Sequence, residues 1–119
     1  MMKQIKLFDP YTDKFEKIAI NRVLESNFWA SGSGNNNVKK FEEKFSKYVN
    51  SKSSIAVNSG TAALNLALSM FDIKNKEVII PSLSFVSTAN AVIENGGIPK
   101  FIDIDEKTLC IDPKKISEG

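Results

Sequence analysis

The hydrophobic residues are spaced differently in the two halves of the chain. Up to about residue 52 they recur every three or four positions in two stretches, residues 13–26 and 38–49, which predicts two amphipathic helices. Asp13 stands three positions before Glu16, the spacing of a capping box, and Asn37 is expected to cap the second helix. Residues 27–37 between them are polar and glycine-rich and are predicted to form a loop.

From residue 53 onward, short apolar runs alternate with helical stretches. Strands are predicted at residues 54–58, 77–80 and 100–104, and helices at residues 61–71 and 85–94. This order favours right-handed crossovers and a parallel sheet, which is the α/β fold class. The helix over residues 61–71 is apolar almost throughout, so we expect other elements to cover most of it.

The last residues carry the signal of a further helix. Asp112 is a suitable N-cap and Pro113 suits the first helical position. The helical stretch that follows is short, so we expect this chain to be the front part of a longer protein. A frayed natural terminus is the alternative interpretation.

Composition limits the chemistry that the chain can perform. It has 119 residues with 16 Lys+Arg, 14 Asp+Glu, one Cys and no His. A net charge of +2 is too weak to indicate nucleic-acid binding. The absence of His excludes a Ser-His-Asp or Cys-His device within the chain, and a single Cys excludes an internal disulfide or a Cys-cluster zinc site. No apolar run reaches the ~18–20 residues of a membrane span, and no signal peptide is recognised, so a cytoplasmic protein is expected.

One turn combines the features of an anion-binding site. The predicted strand ends at Asn58, Gly60 permits a tight turn, and a helix follows at once. Backbone N–H groups in a first helical turn, together with the hydroxyls of Ser59 and Thr61, can hold a phosphate without a basic side chain. A simple helix cap explains the same residues, and both interpretations stay open here. The Lys of a Walker loop and the further glycines of a dinucleotide fingerprint are missing.

Two further candidates follow predicted strands, at the sheet edge where α/β proteins bind ligands. Phe85 stands where the second strand passes into a helix, and its ring there can stack on a flat cofactor. A place in the core is the alternative, and spacing alone favours it. The acids Asp103, Asp105 and Glu106 follow the third strand. A surface turn explains these acids better than a metal site, because no His supports a metal.

Four segments, taken together in their order and spacing, resemble the DegT/DnrJ/EryC1/StrS family of pyridoxal-phosphate (PLP) enzymes. They read FWASG followed by VKKFE, NSGTAAL, EVIIPSLSFVSTANA and PKFIDID, and the resemblance runs from about residue 10 to the last residue. It implies the PLP-dependent aspartate-aminotransferase-like fold (fold type I), with mainly parallel strands and crossover helices. Residues 1–52 are then an N-terminal helical segment with an active-site loop at 27–37. Residues 53–119 are the first part of the PLP-binding α/β domain.

The resemblance also implies roles for individual residues. In such enzymes one turn binds the PLP phosphate, and the residues that match it here are Ser59, Gly60, Thr61 and Ala62. An aromatic residue stacks on the pyridine ring, and Phe85 matches it. A loop near the active-site mouth is matched by Trp29, Ser31 and Gly32, which are expected to contact substrate.

No catalytic residue is expected within this chain. The family's reactive Lys, its pyridine-binding Asp and a further phosphate-binding Ser all lie beyond residue 119, so these residues alone should be inactive. The resemblance implies the N-terminal part of a homodimeric aminotransferase that moves an amino group, from glutamate, to a nucleotide-linked keto sugar. Two alternatives remain: a PLP-dependent sugar dehydratase of the same family, with His at the reactive position, and a non-catalytic remnant that binds a phosphate ligand.

Overall fold

The computed structural model describes residues 5–29 and 37–117, and the chain forms two compact units, residues 1–56 and 57–119. The first unit holds two helices, α1 (Lys14–Ser26) and α2 (Asn37–Tyr48). The second unit holds, in chain order, α3 (Gly60–Leu68), β1 (Glu77–Pro81), α4 (Ser87–Glu94), β2 (Ile98–Ile102) and a 3-10 turn at Lys115–Ser117.

The start of α1 is the predicted capping box. Asp13 Oδ1 accepts a hydrogen bond from the Phe15 N–H at 2.7 Å, and Glu16 Oε2 accepts one from the Asp13 N–H at 2.7 Å. The bond from the Asp13 N–H stabilises the charged form of Glu16 and holds the pKa of that carboxyl below its ordinary value. Helix α2 begins at Asn37 itself, so the prediction of Asn37 as the residue before the helix was one position late.

The first predicted strand, residues 54–58, is not a strand among the described residues. A strand exists only where a neighbour completes its hydrogen-bond ladder, and no neighbour lies beside this segment in the described part of the chain. This segment is hydrogen-bonded to Glu42 of α2 instead. Its Oε1 accepts from the Ala56 N–H at 2.9 Å, and its carbonyl accepts from the Ser54 hydroxyl at 2.6 Å.

The sheet of the described residues is a parallel pair, which confirms the predicted strand direction. Strand β1 pairs with β2 so that Glu77 faces Ile98 and Pro81 faces Ile102. The prediction placed the last strand at residues 100–104, two positions too late. Ile104 lies beyond β2 and makes an isolated antiparallel bridge with Ile111, because the chain folds back after Asp103.

The core of the second unit lies between α4 and the strand pair. Ala91 and Val92 on α4 are each 1% exposed, and Ile80 and Ile102 in the strands are also buried. Gly97 comes immediately before β2, and a Cβ built there would lie 2.9 Å from Val92 Cγ1. Apolar side chains packed this closely leave no room for an added methyl group.

Helix α3 is shorter and more open than predicted. It ends at Leu68 rather than near residue 71, and none of its residues is buried. Leu64 is 40% exposed and Leu66 is 45% exposed, so the expectation that other elements cover most of this helix is wrong for the described residues. The reason is that α3 packs mainly on one neighbour, α4, rather than on the strands.

The segment after β2 returns across the carboxyl ends of both strands. The Asp103 carboxylate accepts hydrogen bonds from Lys115 Nζ at 2.8 Å, from the Ile104 N–H at 3.0 Å and from the Ser82 hydroxyl at 3.4 Å. The Lys115 ammonium is the main cause that holds the pKa of the Asp103 carboxyl below its ordinary value. The predicted final helix is a 3-10 turn over its described residues, with the Asp112 carboxylate accepting from the Lys114 N–H at 3.0 Å.

Within residues 5–29 and 37–117, no helix has both the length and the apolar character needed to cross a bilayer.

We predict that Gly97→Ala destabilises the intact protein by about 1–3 kcal/mol, because the new methyl group overpacks the core beside Val92. Denaturant unfolding followed by circular dichroism measures the loss. Gly60→Ala, with both variants measured free of cofactor, is the matched control, since a Cβ at Gly60 meets nothing within 4 Å and should change stability by less than about 1 kcal/mol. Equal stability of the two variants would contradict the packing at Gly97.

We predict that Asp103→Asn lowers the unfolding midpoint at pH 7 and that this loss disappears in acid. The native pKa of Asp103 is depressed, so its stabilising contribution is present above about pH 4 and is lost as the pH falls through the native pKa. Urea midpoints at pH 7 and pH 3 test this. Asp72→Asn, in an exposed pair with Lys76, is the control and should change the midpoint less. A pH-independent effect of Asp103→Asn would contradict the ion-pair assignment.

Candidate functional site

The turn before α3 presents unpaired backbone N–H groups to solvent. Ser59 is the N-cap, with an extended backbone (φ −161°, ψ 160°), and its Oγ accepts from the Ala62 N–H at 3.1 Å. The Ser59 carbonyl accepts from the Ala63 N–H at 3.0 Å. The N–H groups of Gly60 and Thr61 come before the first intrahelical bond, and no acceptor for them lies among residues 5–29 and 37–117.

The helix-cap interpretation is realised, and the cap leaves some donors of the turn without a partner. The cap takes the Ser59 oxygen and the Ala62 N–H, so these two groups already have partners. What remains for a ligand is the pair of N–H groups at Gly60 and Thr61, with the exposed Thr61 hydroxyl beside them. The partial positive charge of a helix N-terminus adds to these donors and favours an anion such as a phosphate.

Gly60 leaves this approach open. A Cβ placed on Gly60 meets no atom within 4 Å, so a methyl group there would stand in open space. Its φ does not lie in the left-handed region, so the backbone itself does not require glycine. A side chain added here would occupy open space beside the first turn of α3. The glycine therefore suits a ligand contact better than a turn requirement.

Phe85 lies in the loop between β1 and α4, at the carboxyl end of β1. Helix α4 begins at Ser87, two residues later than predicted. The ring of Phe85 is 75% exposed, so the alternative of a core residue does not hold for the described structure. Hydrogen bonds hold the loop around it: the Thr88 N–H donates to the Phe85 carbonyl at 3.0 Å, and the Ser84 and Thr88 hydroxyls are 2.7 Å apart.

The turn at residues 59–62 and the loop around Phe85 lead into neighbouring helices. Helices α3 and α4 pack against each other within the second unit. The contact includes hydrogen bonds from the side chain of Asn65 to Glu94 and from that of Asn95 to Asn65. The sequence analysis did not single out Asn65 or Asn95, because thirty positions separate them and no local spacing indicates their contact.

Trp29 belongs to the first unit, directly after α1. Its indole Nε1 donates to the Leu24 carbonyl at 3.3 Å, and 71% of the residue is exposed. The other two residues predicted for substrate contact, Ser31 and Gly32, lie outside the described residues.

The acids after β2 belong to a surface turn, as the sequence analysis favoured. Asp105 Oδ1 accepts from the Thr108 N–H at 2.9 Å and from the Lys107 N–H at 3.0 Å, and these bonds lower the pKa of the Asp105 carboxyl. Glu106 is exposed in the same turn. Across the described ranges there is no cluster of three or more His, Cys, Asp or Glu side chains arranged for a metal ion.

Comparison with known proteins gives a consistent result. The model of the DegT/DnrJ/EryC1/StrS aminotransferase family matches residues 10–119. The spore coat polysaccharide biosynthesis protein SpsC of Bacillus subtilis is 44% identical over 108 residues, which are 90% of this chain and 27% of that protein. GDP-perosamine synthase of Escherichia coli O157:H7 is 37% identical over 118 residues, covering 98% of this chain and 32% of that protein.

A solved structure supports the same fold. The match is to a GDP-4-keto-6-deoxymannose-3-dehydratase with a trapped PLP-glutamate geminal diamine. It covers 98% of this chain and 31% of the dehydratase chain, with a TM-score of 0.85 and 31% sequence identity. The α/β prediction of a PLP-dependent, aminotransferase-like fold is thereby confirmed. The chain spans about three tenths of the length of the relatives it matches.

Because the family model covers all but the first nine residues and the fold agrees with it, this chain belongs to the DegT/DnrJ/EryC1/StrS aminotransferase family.

Proposed function

We propose that the protein to which this chain belongs is a PLP-dependent aminotransferase that transfers an amino group from glutamate to a nucleotide-linked keto sugar. The observation that carries the proposal is the open pair of N–H groups at Gly60 and Thr61, in the turn that resembles the PLP-phosphate site of the family. GDP-perosamine synthase supports a nucleotide-linked substrate, and the PLP-glutamate adduct in the related dehydratase supports glutamate as the donor.

The described residues fit the phosphate of PLP. The N–H groups of Gly60 and Thr61 would donate to phosphate oxygens, and the Thr61 hydroxyl would add a third donor. The helix dipole of α3 favours the doubly charged group, so no basic side chain is needed. PLP, when bound, supplies an electron sink for carbanion chemistry. The exposed Phe85 would stack on one face of the pyridine and would exclude water from that side.

The catalytic group is assigned to the part of the protein outside residues 1–119. In this proposal the chain binds and orients the cofactor, while a Lys elsewhere moves the proton. From the family resemblance, the proposal also assigns contact with the sugar nucleotide to Trp29, Ser31 and Gly32. The complete protein works in the cytoplasm as a homodimer, and it uses neither a metal, a nucleic acid nor a membrane.

A second candidate is a PLP-dependent sugar dehydratase, which the similarity to GDP-4-keto-6-deoxymannose-3-dehydratase favours. The two reactions leave different products. Transamination replaces the carbonyl oxygen with an amino group and converts glutamate to 2-oxoglutarate, whereas dehydration removes a hydroxyl group without net amino transfer. Mass spectrometry of the sugar nucleotide decides between them. Phosphate-ligand binding with neither product would indicate the third alternative, a non-catalytic remnant.

We predict that Gly60→Ala and Thr61→Ala each weaken PLP binding by roughly ten-fold or more in the complete protein. The first change blocks the approach to the N–H groups, and the second removes a hydrogen bond to a charged group. Equilibrium titration with PLP and with pyridoxal, which lacks the phosphate, measures the effect. Only the PLP affinity should fall.

Thr12→Ala is the matched control for this pair, since Thr12 is exposed and its side chain has no hydrogen bond among the described residues. It should leave both affinities unchanged. Unaltered PLP affinity in Gly60→Ala and Thr61→Ala would refute the phosphate assignment.

We predict that Phe85→Ala weakens PLP and pyridoxal binding equally, by roughly three- to ten-fold, because stacking acts on the ring that both ligands share. Folding stability should change little, since the Phe85 side chain is already exposed. Phe71→Ala, another exposed phenylalanine, is the control and should bind both ligands normally. A loss confined to PLP, or no loss at all, would argue against stacking.

A further inference from the structure

Hydrogen bonds of two side-chain amides and one carboxylate join α3 to the end of α4. Asn95 Nδ2 donates to Asn65 Oδ1 at 2.6 Å and to the Ala91 carbonyl at 2.8 Å. Asn65 Nδ2 in turn donates to Glu94 Oε2. Asn65 and Asn95 are both half-buried, whereas Glu94 is exposed. We call Asn65, Glu94 and Asn95 the amide bracket.

The bracket connects a loosely held helix to a firmly held one. Helix α4 is fixed by the core, where Ala91 and Val92 are buried against the strands. Helix α3 has no buried residue, and its main neighbour among the described elements is α4. Apolar contact alone permits such a helix to slide and tilt, because the hydrophobic effect has no direction. Hydrogen bonds are directional, so the bracket fixes the angle of α3 on α4.

The angle of α3 decides where its N-terminal N–H groups point. Asn65 lies five positions after Gly60, about 7–8 Å along the helix axis at 1.5 Å per residue. A helix this short moves as one body, so a tilt at Asn65 displaces the N–H groups of Gly60 and Thr61. The bonds that these groups form with a phosphate weaken steeply when they are misaligned.

Resting on the proposed PLP site, we infer that Asn65 and Asn95 are positioning residues for the phosphate-binding turn, which they hold in place by fixing α3 against α4. Neither residue touches the cofactor in this arrangement. Their contribution is confined to the phosphate end of the ligand, because the loop of Phe85 precedes α4 and does not depend on the bracket.

The test is the ratio of PLP affinity to pyridoxal affinity in the complete protein. Asn65→Ala should lower this ratio about five-fold, because it leaves pyridoxal binding unchanged and weakens PLP binding. Asn65→Asp should lower the ratio at least as much, because its carboxylate faces Glu94. Adding Glu94→Gln to Asn65→Asp reverses the hydrogen bond, with the glutamine amide donating to the aspartate, and should restore the ratio to near the normal value.

Two controls separate positioning from general stability. Asn90→Ala removes an exposed amide of α4 whose side chain has no bond among the described residues, and should leave the ratio unchanged. Thermal melting of the apo forms shows how far each variant is destabilised. A merely structural role lowers the melting temperature and both affinities together, and leaves the ratio constant.

The outcomes distinguish this inference from the proposed function. A normal ratio in Asn65→Ala, alongside a lowered ratio in Gly60→Ala, overturns the bracket and leaves the PLP site standing. A normal ratio in Gly60→Ala refutes the PLP site itself. If Asn65→Ala does not fold, Asn65→Asp is compared with the double variant that also carries Glu94→Gln. A ratio that the second substitution does not restore overturns the inference.

Discussion

The contact between α4 and the parallel strands is the interaction on which the second unit depends. Ala91 and Val92 meet Ile80 and Ile102 there, and these residues are the buried hydrophobic side chains of the described structure. The same contact sets the tight approach at Gly97, where β2 passes below the helix. Helix α3 packs on α4 and contributes no buried residue to this core. The position of the turn at Gly60 therefore depends on α4.

The candidate site relies on backbone groups rather than on charged side chains. In the proposed function, two N–H groups at the head of α3 face the phosphate, and the exposed Phe85 supplies an apolar surface. Acidic residues nearby are already engaged, since Asp103 holds Lys115 and Asp105 closes its own turn. A chain without His is suited to this division of labour, because binding and orienting a cofactor require no group that titrates near neutral pH.

A single unit can therefore carry a specific part of an enzyme's chemistry. In the proposed function, residues 57–117 hold the cofactor at its phosphate and over its ring, while proton transfer belongs elsewhere. The chain covers about three tenths of the length of the relatives it matches. In that case the affinity for PLP and the reactivity of PLP depend on different segments of the protein. Substitutions at Gly60 and Phe85 change the affinity alone.

The sequence by itself determined the features that rest on short-range physics. The capping box of Asp13 and Glu16 and the Ser59 cap before Gly60 follow from neighbours a few positions apart, and the order of apolar runs and helical stretches was enough to predict that the strands are parallel. Tertiary structure decided the rest, because those features depend on partners distant in the chain. Residues 54–58 form no strand because no neighbouring strand pairs with them among the described residues, Phe85 is exposed because no described element packs over it, and Asn65 meets Asn95 across thirty positions.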